Sequence, residues 1–292
     1  MNLISRLYRY QEERFPVKIL TFTTLAVVLS SAAVLSYKTT VLQGVITFFA
    51  CMAFLFHIRV MDESRDFLHD SAFHPGRPVQ RGLISIKELF IVNVPGVAFF
   101  IFSMIYFGLP AMLYGIILLV FSFIAWKDFF LGDKFKKRFF LYNAVNMLQM
   151  VLLQFFIYSL LSLGFIVTGV MWIHLLFVIF NTIIMEFVRK IKTTADESLG
   201  KDTYSWHLGY HRSLRIFYLL SVSNYLTFVW MLYAISSSAT LFVLIALVLL
   251  ILLTTAVILH FRLKRKATEQ FLLLSTVFNY VGLNLLIYIF NA

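Results

Sequence analysis

Nine stretches of about 20 mostly apolar residues recur along the chain, at 18–37, 41–61, 86–107, 110–126, 139–163, 167–187, 213–235, 239–260 and 269–290. Each is long enough, as a helix, to cross the hydrocarbon core of a bilayer. A backbone in lipid has no water to bond, so helices are the form that such runs take. Hydrophobic residues make up 61% of the 292, and charged residues only 13%, which is more apolar surface than a soluble core of this length hides. The expected fold is all-α and polytopic, with about nine transmembrane helices around a central cavity. No linker or low-complexity run divides the chain, so residues 1–292 read as one domain.

Charge predicts the orientation. Of the 25 Lys and Arg residues, 24 lie before the first stretch or near the 2/3, 4/5, 6/7 and 8/9 connections, with only Lys38 opposite. Cytosolic loops retain cations, so the N-terminus reads as cytosolic and the C-terminus as outside. All 14 acids share the cytosolic side, and the net +11 therefore describes one face. That face suits anionic lipids and anionic substrates, whereas basic residues tied into short loops at a bilayer argue against nucleic acid. The leader that precedes the first stretch carries Arg6, Arg9, Arg14 and Lys18 and has no small-residue cleavage pattern after it, so no removable signal peptide is expected. Cys51 is the one cysteine, which excludes an internal disulfide.

Two connections, 62–85 and 188–212, are long and polar, and they follow stretches 2 and 6. Their placement four helices apart hints at a duplicated four-helix unit. In the first, Asp62-Glu63-Ser64-Arg65-Asp66-Phe67-Leu68-His69-Asp70 gathers four of the 14 acids into nine residues. On a continuous helix Asp62, Glu63, Asp66 and Asp70 fall within an arc of roughly 100°. Like charges so arranged repel unless a cation neutralises them. Mg²⁺ suits the task, because it takes oxygen ligands and is commonly shared between carboxylates and substrate phosphates. Arg59 lies one turn earlier on the same arc and is placed to pair with Asp62 or Glu63. A solvated helix end with structural ion pairs is the alternative, but Arg77-Pro78-Val79-Gln80-Arg81-Gly82 follows directly, supplying two guanidiniums on a stiff turn.

With these residues in place, the chain resembles the UbiA-type membrane prenyltransferases. Their first motif reads Asn-Asp-x-x-Asp-x-x-x-Asp at the end of the second helix, followed by Arg-Pro-x-x-x-Gly. Asp62 stands at the Asn position and Glu63 at the first Asp; Asp66, Asp70, Arg77-Pro78 and Gly82 match directly. The family's second acidic motif, after helix 6, is matched at its tail by Asp196-Glu197-Ser198-Leu199-Gly200-Lys201-Asp202-Thr203. Its front is replaced by Lys190, Lys192, Thr193 and Thr194. Glu186 is the nearest upstream acid. If the helix continued, Glu186 and Glu197 would point about 20° from one another. The run Lys134-Phe135-Lys136-Lys137-Arg138 resembles the family's Lys-Arg loop, although positive-inside retention also explains it.

The resemblance implies a transferase that moves an isoprenoid from a polyprenyl diphosphate to a hydrophobic acceptor, often an aromatic ring. Glu63, Asp66 and Asp70 would be its catalytic acids. Asp62, Glu63, Asp66, Asp70, Asp196, Glu197 and Glu186 would hold magnesium, and Arg77, Arg81, Arg189, Lys190, Lys137 and Arg138 the diphosphate. Tyr142, Asn143 and Asn146 belong to a polar stripe in stretch 5, with Gln149 and Gln154, that lines a cavity or bonds neighbouring helices. Tyr280, Asn284, Tyr288 and Asn291 form a smaller stripe in stretch 9, whereas His174 and Asn181 read as structural. Isoprenoid cyclisation is an alternative outcome of the same ionisation. A transporter or non-catalytic lipid-binding protein is a further alternative, against which the ionisable residues cluster at helix ends rather than at mid-bilayer.

Overall fold

The structure is a computed structural model that describes residues 2–35, 39–162, 168–197 and 199–291. Lys38 and Ser198 lie outside the described residues, as do positions 36–37 and 163–167. Among the described residues the regular structure is helical throughout, and nine helices are long and apolar enough to cross a membrane. They are α2 (Val17–Val34), α3 (Val41–Arg65), α5 (Ile86–Phe107), α6 (Leu109–Trp126), α8 (Phe139–Ser162), α9 (Gly169–Arg189), α11 (Tyr210–Ile235), α12 (Thr240–Leu263) and α13 (Lys266–Asn291). These nine coincide with the nine apolar stretches, and the chain is a polytopic membrane protein. Four short helices complete the set: α1 (Leu3–Arg14), α4 (Phe67–Phe73), α7 (Gly132–Lys136) and α10 (Tyr204–Leu208).

The chain divides into two compact units, Met1–Val28 with Lys38–Phe165, and Leu29–Tyr37 with Ile166–Ala292. In the first unit α3 packs on α5, α6 and α8, and α6 packs on α5 and α8. Rings fill the seams: Phe100 lies 5.4 Å from Phe54 and 4.6 Å from Phe156 between centroids. A buried polar thread crosses the same helices. Asn93 Nδ2 donates to His57 Nδ1 at 3.0 Å, so the proton on the other ring nitrogen is directed at Ser122 Oγ, 3.2 Å away. Such bonds tie apolar helices in register where lipid offers no hydrophobic drive between them.

The leader forms α1, a short amphipathic helix outside the spans. Asn2 caps it, accepting from Ser5 N at 2.9 Å. Its inner face seats Tyr10, 1% exposed, and Leu7 in a cluster with Phe15, Val60, Val79, Ile84 and Leu89. Arg6 then donates to both oxygens of Glu88, at 2.6 and 3.1 Å, and Glu88 also closes the capping box that starts α5 at Ser85. This anchorage carries Arg14, the last residue of α1, toward the end of α3.

In the second unit α9 packs on α11 and α13, and α12 on α11 and α13. Buried amides and hydroxyls join these helices. Asn224 Nδ2 donates to Asn181 Oδ1 at 3.0 Å, Ser30 Oγ to Asn284 Oδ1 at 2.6 Å, and His174 Nε2 stands 3.1 Å from Ser30 Oγ. His174 and Asn181 thus hold helices together, and Asn284 of the stretch-9 stripe does the same.

Candidate active site

The acidic motif does not lie on one uninterrupted helix. α3 ends at Arg65, Asp66 (φ −90°, ψ 6°) joins it to α4, and α4 carries Asp70 in its first turn. The four acids fall into two groups. Glu63 and Asp70 are buried together with arginines of α1, α3 and the following turn, and Asp62 and Asp66 turn to Arg65. Repulsion along the helix end is relieved by guanidiniums in place of the bare anionic face read from the sequence.

In the first group Glu63 is fully buried (0% exposed) and receives Arg14 Nε at 2.7 Å, while Arg59 Nη2 stands 3.2 Å from the same oxygen, Oε1. Arg77 pairs with Asp70 Oδ1, and Arg14 Nη2 stands 3.9 Å from Asp70 Oδ2. Arg77 is placed by a tight turn. Leu83 N donates to Pro78 O at 2.8 Å, Gly82 N to Val79 O at 3.1 Å, and Gly82 has φ +76°, a conformation that a side chain would strain. Burial, reinforced by the cations of Arg59 and Arg77, lowers the pKa of Arg14, and Glu63 opposes that shift only in part. A guanidinium nevertheless stays charged. Three cations therefore surround two carboxylates, and the local excess is positive.

The second group centres on Arg65, whose side chain is 9% exposed. Its Nε and Nη2 donate to the two oxygens of Asp66, both at 3.0 Å, and Asp62 Oδ1 lies 2.9 Å from Nη2. Asn146 Oδ1 accepts from Nη1 at 3.4 Å, and the Tyr142 ring lies 5.8 Å from the guanidinium carbon. Asp128 Oδ1 is 3.9 Å away. It also accepts from the Tyr142 hydroxyl at 3.0 Å, and its other oxygen lies 2.7 Å from Lys136 Nζ. Burial raises the Asp66 pKa, but the Arg65 hydrogen bonds and charge outweigh it and hold the carboxyl below its ordinary range.

The remaining predicted site residues of the first unit are placed as follows. Arg81 is exposed and pairs with Glu13 at 2.5 Å and with Gly76 O, away from the acids of the motif. Lys137 and Arg138 are exposed, and Lys136 of the same run engages Asp128. Tyr142 and Asn146 join the Arg65 group, whereas Asn143 is buried and donates to Phe139 O at 2.8 Å. Gln149 and Gln154 are buried. Arg14, Arg65 and Asp128 were not singled out from the sequence. Each was readable as one of few charges at a helix end, but their pairing across helices was not.

In the second unit the helix stops at Arg189, and residues 190–203 are not helical where described. The phase relation between Glu186 and Glu197 therefore does not apply. Glu186 is held by its own helix end, with Arg189 and Lys190 each at 2.7 Å. Asp196 Oδ2 accepts from Thr193 Oγ1, and Glu197 Oε2 from Thr203 Oγ1, both at 2.6 Å. The segment is pinned by Tyr204, whose N donates to Lys190 O at 2.9 Å and whose ring stacks on Phe187 at 3.8 Å.

Hard-oxygen chemistry remains open in both segments. Glu63 Oε2, Asp70 Oδ2 and Glu197 Oε1 are buried without a hydrogen-bond partner, and such orphaned carboxylate oxygens are donors that a magnesium ion satisfies. The residues present therefore fit the ion that the motif implies. His69, Asp70 and His74 also bring ligand atoms within 4.8 Å of one another, but two imidazole nitrogens do not suit magnesium, which prefers oxygen ligands.

No protein-family model matches the sequence, and no curated protein matches it. Two solved structures match its fold. A ligand-free UbiA homolog from Aeropyrum pernix K1 superposes with a TM-score of 0.64 at 15% identity, over 91% of this chain and 96% of that one. A structure of digeranylgeranylglyceryl phosphate synthase superposes with a TM-score of 0.62 at 15% identity, over 98% of this chain and 99% of that one. The chain has the UbiA-type membrane fold along nearly its whole length.

Proposed function

We propose, proceeding from that fold, that the chain is an intramembrane prenyltransferase acting as one domain: it moves an isoprenoid from a polyprenyl diphosphate to a hydrophobic acceptor such as an aromatic ring. One observation carries the reading. Arg14, Arg59 and Arg77 crowd around Glu63 and Asp70, and each of these carboxylates keeps one buried oxygen without a hydrogen-bond partner. Such a group has donors for a hard cation and surplus guanidiniums for an anion, which together describe a metal-bound diphosphate. The bias of Lys and Arg toward one set of connections supports placing this site at the cytosolic face.

Glu63 and Asp70 would hold the ion through Oε2 and Oδ2. Two bonds to Arg65 leave Asp66 about two of the four lone-pair sites of a carboxylate for the same purpose. Bound magnesium supplies neutralisation of the leaving diphosphate. Arg77 and Arg14 bind and orient the phosphate oxygens. Their charge is fixed before the allylic C–O bond lengthens, so they stabilise the dispersed anion of the transition state more than the ground state. No general base is needed to start that step. The polyisoprenoid lies among apolar helices that exclude water from the carbocation. Asp196, Glu197 and Glu186, with Arg189 and Lys190, are assigned by the motif resemblance to the same magnesium requirement.

The test is incubation of the purified full chain with prenyl diphosphates of several lengths and Mg²⁺. Free diphosphate would be measured, and lipids copurifying with the protein would be screened as acceptors by mass spectrometry. Release of diphosphate with a prenylated acceptor supports the reading. Release with a cyclised hydrocarbon instead identifies a cyclase, and binding without release identifies a non-catalytic lipid-binding protein.

A further inference from the structure

The four-acid motif contains an arginine on which three carboxylates converge. Asp62, Asp66 and Asp128 converge on the Arg65 guanidinium, with oxygens at 2.9, 3.0 and 3.9 Å, and the Asn146 amide oxygen adds a fourth direction at 3.4 Å. These groups come from the end of α3, the turn after α6 and the first third of α8. The convergence is imposed by the backbone: Asp128, Phe129 and Phe130 have φ of 50°, 58° and 55°, three successive non-glycine residues in the left-handed region. A conformation so unfavourable to side chains persists only where its surroundings hold it. Here Tyr142 and Lys136 clamp Asp128 in place.

We propose that Arg65 is a built-in cation that occupies the position a divalent ion would otherwise take among Asp62, Asp66 and Asp128, and that it positions Asp66 for the neighbouring metal-bound diphosphate. The planar fork of a guanidinium meets both oxygens of Asp66 at once and still reaches Asp62 and Asn146, a pattern that a point charge does not reproduce. Three carboxylates brought this close cannot all remain ionised without a cation among them. Arg65 supplies that cation permanently. The acid motif is then divided in function: around Arg65 the repulsion among the carboxylates is reduced without metal and Asp66 is oriented toward the ion, while Glu63 and Asp70 offer it their orphaned oxygens. This inference deepens the prenyltransferase reading and rests on it for the neighbouring ligand. Its test uses no substrate, so the two fail separately.

The experiment uses the purified full chain and counts bound Mn²⁺ by electron paramagnetic resonance. Thermal unfolding is recorded in parallel, in EDTA and in millimolar Mg²⁺. Arg65→Gln is expected to bind one more Mn²⁺ per chain than the parent, to unfold roughly 5 °C or more lower in EDTA, and to recover most of that loss in Mg²⁺. Arg65→Lys keeps the charge and is expected to match the parent's Mn²⁺ count. An Arg65→Gln protein with unchanged Mn²⁺ count, and the same loss of stability with or without Mg²⁺, overturns the proposal. If Arg65→Gln cannot be recovered folded, Arg65→Gln with Asp128→Asn relieves the excess negative charge. A folded double variant then supports the proposal, and a double variant that also fails to fold overturns it.

Discussion

Replacing Glu63 with glutamine tests whether this carboxylate organises the arginines around it. Glu63 is fully buried, and its Oε1 receives Arg14 Nε at 2.7 Å and lies 3.2 Å from Arg59 Nη2. At an effective dielectric of about 20 each contact corresponds to roughly 5–6 kcal/mol of Coulomb attraction, most of which is offset by the desolvation of the three groups. Measured losses on breaking a buried pair from one side are about 3–5 kcal/mol, because the remaining charge is left uncompensated. Glutamine keeps one oxygen acceptor for Arg14, so about 3 kcal/mol is expected here. At roughly 2–4 °C per kcal/mol this lowers the melting temperature by about 6–12 °C. The assay is thermal unfolding in detergent, followed by tryptophan fluorescence and by the monodisperse fraction on size exclusion. Glu13→Gln is the control. It removes an ion pair with Arg81 in which both side chains are about 40% exposed, and no measurable change is expected. A Glu63→Gln protein as stable as the parent would refute the claim that Glu63 is the counter-ion for Arg14 and Arg59.

Arg77→Lys keeps the charge but loses the guanidinium fork on Asp70. It is expected to lower kcat for diphosphate release about tenfold with a smaller effect on KM, and an unchanged kcat would remove Arg77 from the stabilisation of the leaving diphosphate. Asp196→Asn is expected to shift the magnesium titration of diphosphate release to higher concentration by more than Glu186→Gln does, since both Glu186 oxygens are already held by Arg189 and Lys190. If Asp196→Asn follows the parent at every magnesium concentration, the second segment takes no part. The Asp66 carboxyl is held below its ordinary range in the folded chain. Its contribution to stability is thus present above the unfolded-state value of about 3.9 and is lost as pH falls through the lower folded value. Between about pH 5 and pH 3 the parent's melting temperature should fall more steeply than that of Asp66→Asn, and parallel curves would contradict this.

The nine spans were legible because lipid demands a long apolar run for each crossing, so that the ends of α3, α5 and α8 agree with the stretches within a few residues. Contacts within one turn were legible too: Arg59 with Glu63 follows from helical spacing, as does Glu186 with Lys190. Arg14 on Glu63 was not, because 49 residues separate them and only the packing of α1 on the Val60 and Ile84 cluster brings them together. Nor was the division of the motif, since it follows the guanidiniums: Arg14 and Arg77, from α1 and the turn after α4, gather Glu63 and Asp70, while Arg65 takes Asp62 and Asp66. In the second segment the assumed helix through Thr193 and Thr194 gives way to side-chain bonds within the loop, where Thr193 and Thr203 hold the carboxylates that were expected to share a helical face. Asp128 needed a left-handed turn that no local pattern announces.

The central claim is that the acid motif, metal and arginines ionise a prenyl diphosphate, and Asp66→Asn tests it most directly. The change is nearly isosteric at a helix junction, so the variant is expected to fold and to elute as the parent does. At saturating Mg²⁺ and prenyl diphosphate, diphosphate release should fall at least about a hundredfold, the equivalent of ~2.7 kcal/mol of transition-state stabilisation. Release by a folded Asp66→Asn protein at a rate near the parent's would contradict the mechanism.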